Sequence, residues 1–264
     1  MRGAKIVAHV SGRSLKIASS LRTTGLLMAA SWLAGCASAP DAIGVAQSPW
    51  AVQSTLEASA ADGEWHHHGF PAKQSTTYLY ERSQGRDALA ARSSSSASAF
   101  RRHVNVQPEA LGALRFSWLV PQLIERADMA TREGGDGVVR VILAFDGDRG
   151  KFSARDAMLS ELSRALTGEE LPYATLMYVW GNRKPAGSVI VHPRTQRVRK
   201  IVVESGTAHL GRWLDYERDI RADFERAFGE PPGALRTIAV MTDTDNTRSV
   251  AKAWYGPVSL AKRR

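Results

Sequence analysis

Residues 241–247 read Met-Thr-Asp-Thr-Asp-Asn-Thr, so Asp243, Asp245 and Asn246 crowd one short turn after an apolar run. Such oxygen-bearing groups can coordinate Ca²⁺ or hydrogen-bond sugar hydroxyls. The glycine and closing glutamate of an EF-hand loop are missing. The plain alternative is a turn in which Asp and Asn bond their own backbone. A second group is Tyr178-Val179-Trp180-Gly181-Asn182-Arg183. Trp180, Asn182 and Arg183 offer an aromatic face, an amide and a guanidinium, the planar set that grips a sugar ring. They can equally be a buried indole, a turn amide and a surface cation. Arg140 interrupts the apolar run Val138–Phe145 and needs a partner if buried; Asp243 would serve. The candidate ligand-binding set is therefore Arg140, Trp180, Asn182, Arg183, Asp243, Asp245 and Asn246, with Ca²⁺ at Asp243 and Asp245 as the one cofactor expectation.

Other groups point less sharply. His66-His67-His68 would alternate faces on a strand, which favours a solvated stretch over a metal site. Glu169, Glu170 and Glu204 can do acid–base work, but no nucleophile elbow, zincin helix, phosphate loop or Cys-His pair accompanies them. Arg194, Arg197, Arg199 and Lys200 cluster and read as a solvated face, without a nucleic-acid motif.

Strands must position these groups. Leu114, Phe116, Trp118 and Val120 alternate with polar residues, a period-2 pattern. Val138–Phe145, 175–180, 198–203, 235–241 and 250–255 are further runs, mostly bounded by turn residues. Stretches 76–81 and 88–100 are weaker, and the latter holds the serine run 93–98. Two helices interrupt. Ser153-Ala154-Arg155-Asp156 is a capping box, Met158, Leu159, Leu162, Ala165 and Leu166 form a stripe, and Gly168 ends it. Asp219 caps the second, striped by Ile220, Phe224 and Phe228. The fold expected is mainly β, a jelly-roll-like antiparallel β-sandwich with two short helical insertions.

The N-terminus reads as an address. Residues 1–35 hold five basic residues and no acid, followed by the apolar run 26–33. That run is shorter than the roughly 20 residues of a membrane helix. The pattern is a secretory signal. Its end, Leu33-Ala34-Gly35-Cys36, resembles the bacterial lipobox, a resemblance that implies lipidation at Cys36; the plain alternative is an ordinary secretory signal in which Cys36 is incidental. Cys36 is the only cysteine, so no intramolecular disulfide framework is possible. The domains expected are a signal peptide over 1–35, a lipidated terminus and tether over 36–63, and one sandwich domain over 64–262. Ala37 favours the outer membrane, facing the periplasm. The 264-residue chain carries 35 basic and 26 acidic residues, a net charge of +9. Without the signal 30 basic residues remain, a net +4, so the charge itself gives little reason for a nucleic-acid partner.

Phe152–Asp156, Leu166–Glu169, Ala174–Trp180, Arg199–Gly206, Gly211–Trp213 and Thr242–Thr247 resemble the bacterial family catalogued as domain of unknown function 3047. The resemblance runs from about Trp65 onward. It implies one β-rich envelope domain, no established activity, and strand rather than linker for Ser93–Ser98. The family pattern often has Asp at the position of Gly181 and an acidic residue near Gly135; this sequence lacks both side chains. The function expected is an envelope lipoprotein, joined to the membrane through its lipid, that binds a glycan or other envelope polymer without catalysis. The alternatives are a polysaccharide hydrolase and an assembly partner of the outer membrane.

Overall fold

A computed structural model describes residues 44–56 and 63–262. Cys36, the lipobox and the signal segment lie outside the described residues. Thirteen described strands, numbered along the chain, form two facing sheets. The first orders β1 (His66–Gly69), β4 (Ser98–Val106), β11 (Leu235–Asp243), β6 (Gly137–Phe145), β7 (Ala174–Gly181), β9 (Val198–Ser205) and β8 (Val189–Val191). The second orders β10 (Trp213–Asp219), β5 (Leu111–Leu119), β12 (Val250–Tyr255), β3 (Arg86–Ser94) and β2 (Thr77–Ser83), with β13 (Ser259–Lys262) also on β5. Pairing is antiparallel except between β7 and β9. The hairpin partner β8 sits outside β9, so the chain re-enters beside β7 in the same direction. This is the β-sandwich expected from the period-2 runs.

The core lies between the sheets. Val139, Val141, Leu143 and Phe145 of β6 face Leu114, Phe116 and Trp118 of β5 within one buried cluster. Strand alternation then sends Arg140, Ile142 and Ala144 to the outer face of the seven-stranded sheet. The serine run is where the chain crosses from one sheet to the other. Ser95 turns with φ +47°, and the buried Ser93 hydroxyl meets Ser96 Oγ and Thr244 Oγ1, each at 2.8 Å. Small hydroxyls let two sheet edges approach while keeping their polar atoms paired.

Both expected helices form with the caps read from sequence. In α2 (Ala154–Thr167) Ser153 accepts from Asp156 N, and Gly168 closes the helix at φ +77°. In α3 (Ile220–Phe228) Asp219 accepts from Ala222 N, and Phe224 packs on Phe145 at 4.8 Å. The stripe of α2, however, faces solvent.

The tether expected over 36–63 is corrected. A short helix α1 (Pro49–Gln53), capped by Ser48, buries Trp50 completely against Trp65 and Phe100. Leu56 bridges to Leu260. The sandwich thus begins before residue 50, and Trp50 and Leu56, large apolar side chains in a polar, aperiodic stretch, were its sequence signal. Among the described residues no helix is long and apolar enough to cross a membrane.

Candidate functional site

The expected site residues do not share one solvent-facing surface: Arg140, Trp180 and Asp243 are buried, whereas Arg183 and Asn246 are exposed. Trp180 is fully buried in the core, its indole N–H donating to Gly206 O at 2.9 Å. The expectation of a stacking face is therefore wrong: Trp180 sits at an inward position of β7, in register with Tyr178 and Leu176. Asp243 is also buried, and Arg140 donates to its Oδ1 at 2.8 Å. Arg183 is exposed beside a cavity of about 320 Å³ that Gly181, Met129 and Ile190 also line.

Several of the expected residues instead hold one segment, the β5–β6 connection over residues 120–136. Arg140 donates to Gly135 O at 2.5 Å, and Asn182 donates to Ile124 O at 2.7 Å. Asn246 donates from its backbone and side-chain amides to Asp136 Oδ1 at 3.1 and 2.9 Å. Thr247 serves Asp136 Oδ2 from its N–H at 2.7 Å and its hydroxyl at 2.6 Å. Asp136 was not singled out from sequence, and it corrects the expectation that this chain lacks an acid near Gly135: it directly follows that glycine and is fully buried. Its carboxylate and those of Asp243 and Asp245 offer oxygens within 4.8 Å of one another. Those oxygens already accept from Asn246, Thr247, Gly137, Arg140 and Lys73. Both Asp136 oxygens are taken up by these donors, while the bonds to Asp243 fall on Oδ1 and the bond to Asp245 on Oδ2. Burial raises the Asp243 carboxyl to about 6, with Arg140 opposing and Asp136 adding to the rise.

Lys200 also corrects the sequence reading. It was grouped with a solvated basic face, yet it is 1% exposed. Register with Met177 puts it on the outer face of β9, underneath residues 127–130, where its ammonium donates to Met129 O at 2.7 Å. Burial lowers it to about 7, the Arg140 charge adding to the drop while Asp243 and Asp128 oppose it. Arg199, its neighbour, points to the other side and stacks over Phe228.

Among the described residues the remaining outer face is uncovered. A cavity of about 830 Å³ crosses it, touching β1, β4, β11, β6 and β7 in spatial order. Four strand spacings make a span of about 19 Å, at roughly 4.8 Å each. Its floor is small and apolar: Ala99, Ala144, Ala239 and Ile142, with Thr175 and Thr237 between. Ser163 and Thr167 of α2 and the segment 169–172 form one wall. Charged pairs rim it. Arg101 clasps Glu169 through two bonds of 2.8 and 2.9 Å, Arg149 meets Glu170 at 3.1 Å, and Arg236 meets Asp146 at 2.6 Å. The Arg101 guanidinium holds the Glu169 carboxyl down at about 2. His68 and His103 line the same cavity, and burial together with Arg101 lowers both.

The family model described as "Protein of unknown function (DUF3047)" matches residues 63–259, most of the chain. The chain belongs to the DUF3047 family. No curated protein sequence matches this DUF3047 chain. Two similar solved structures are a xyloglucanase domain of NopAA, a type three effector from Sinorhizobium fredii in complex with cellobiose, and the endo-1,4-beta-glucanase CelB2. The first is 8% identical over 75% of this chain and 98% of its own, with a TM-score of 0.35. The second is 10% identical over 80% and 95%, with a TM-score of 0.33. At that distance neither bears on function.

Sequence reasoning missed the cleft of this DUF3047 domain. Alanines and threonines on four separate strands carry no motif, and only their shared outer face makes them a floor. The Arg101–Glu169 pair joins residues 68 positions apart. It gives a direct test of the rim: in Arg101→Leu the Glu169 carboxyl is expected to titrate near its ordinary 4.5 rather than about 2, followed by NMR. A carboxyl that still titrates near 2 in the variant contradicts the assignment of Arg101 as the cause.

Proposed function

We propose that this protein is an exported lipoprotein, acylated at Cys36 and held at the outer membrane facing the periplasm, whose sandwich binds an envelope polysaccharide without cleaving it. The observation that carries the reading is the cleft across five strands. Its span suits an extended polymer better than a compact metabolite. The apolar floor offers contact for the C–H faces of sugar rings, and the rim pairs offer fixed N–H donors and carboxylate acceptors for hydroxyls.

Binding rather than cleavage is favoured by the state of the carboxylates. A general acid works best with a pKa raised toward the operating pH. Glu169 is shifted the opposite way, and Glu170 and Asp146 are each held by an arginine. Titration calorimetry against a panel of envelope polysaccharides, with a reducing-end assay alongside, tests this. The expected result is binding to at least one polymer with no new reducing ends. Release of reducing ends would replace binding with hydrolysis, and heat from none of them would remove the reading.

The anchor has its own test. Mature protein purified from membranes is expected to begin at Cys36 with acyl chains attached, read by mass spectrometry, and Cys36→Ser is expected to leave the membrane fraction. An unmodified Cys36, or a Cys36→Ser chain still as firmly membrane-bound, contradicts the assignment.

A further inference from the structure

Helix α2 is amphipathic the wrong way round. Its polar edge faces the body: Asp156 and Ser160 are buried, bonded by Thr195 Oγ1 at 2.5 Å and Arg149 Nη1 at 3.0 Å. Its apolar edge faces water, with Met158, Leu162 and Leu166 exposed by 62%, 53% and 68%. Nothing in the core claims these side chains. Large apolar groups lined up on a surface mark a contact surface.

The charge beside the stripe says what kind of surface. Arg155, Met158, Leu162 and Leu166 follow at spacings of three, four and four, so they share one line along the helix. Arg155 therefore stands at the N-terminal end of the stripe itself. The Asp156–Thr195 bond brings the turn carrying exposed Arg194 against the same end. Neither Arg155 nor Arg194 has an ion-pair partner among the described residues. The one acid exposed on the helix, Glu161, is off the line and neutralised by Arg164 at 2.7 Å. An apolar line headed by free arginines is the pattern of a helix lying in an anionic lipid interface.

We propose that α2 rests on an anionic phospholipid surface through Arg155, Met158, Leu162 and Leu166. The contact is separate from the cleft and from any acyl chain at Cys36. Because Cys36 is the only cysteine, the full chain carrying Cys36→Ser and Leu166→Cys accepts a single environment-sensitive fluorophore on the stripe. Leu166 is 68% exposed, so the change spares the fold. Phosphatidylglycerol-containing vesicles are expected to blue-shift and brighten the label, and pure phosphatidylcholine vesicles to do so far less. Adding Arg155→Ala is expected to weaken the response about fivefold, equivalent to the roughly 1 kcal/mol of one basic residue near such a surface. An unchanged label, or equal responses to both vesicles, overturns the proposal. A label that responds to protein concentration without vesicles also overturns it, because a second copy then covers the stripe.

Discussion

Replacing Arg140 with alanine is expected to destabilise the fold by about 3–5 kcal/mol, read as a lower urea midpoint. The substitution leaves Asp243 buried without its cation, next to the carboxylate of Asp136. It also removes the donor to Gly135 O and so loosens the segment 120–136. A buried charge stripped of its partner is far more damaging than a missing surface pair. Arg140→Met combined with Asp243→Asn, which removes both charges, is expected to recover much of the loss. A loss in Arg140→Ala below about 1 kcal/mol, the scale of an exposed pair, would show that the ion pair is not the structural clamp described.

Lys200 is expected to add a distinct pH dependence to stability. Its amine titrates at its ordinary 10.5 in the unfolded chain and at about 7 in the fold. Between those values the unfolded chain binds more protons, so stability rises with pH through that window. Below pH 7 both states are protonated and the whole penalty of the buried ammonium is present. The full shift corresponds to about 5 kcal/mol as an order of magnitude. Lys200→Met is expected to raise the melting temperature at pH 7 and to flatten the rise between pH 7 and 10. The comparison of two chains cancels other groups that titrate there. An identical slope in the variant contradicts the burial of a charged Lys200.

Local chemistry was legible in the sequence. Ser153 with Gly168 and Asp219 with Gly229 bound α2 and α3 because caps act within a few residues. The run 250–255 is β12 to the residue, and Arg140 finds Asp243, since a cation inside an apolar strand has few ways to be satisfied. What the sequence hid depends on which face a strand turns inward. Trp180 and Lys200 lie on neighbouring strands, and the indole that looked displayed is buried in the core while the lysine that looked solvated is buried on the outer face. Strand β1 is His-His-His-Gly and β10 is half charged, so neither resembles a strand until pairing with β4 and β5 supplies the reason. The Met158–Leu166 stripe was legible as a stripe but not as surface, because helical periodicity reports a face without saying what it meets.

The cleft is the centre of the functional account, and filling it is the sharpest trial. Thr237 lies half-buried on the floor at the middle strand β11, so Thr237→Trp obstructs the groove from its outer face while leaving the inter-sheet core untouched. Affinity electrophoresis through gels carrying envelope polysaccharide compares it with the unaltered protein, with melting curves as control. The account predicts that the unaltered chain is retarded and that Thr237→Trp, equally well folded, binds at least tenfold more weakly, a loss of about 1.4 kcal/mol. A folded Thr237→Trp protein retarded as strongly as the unaltered chain would contradict it.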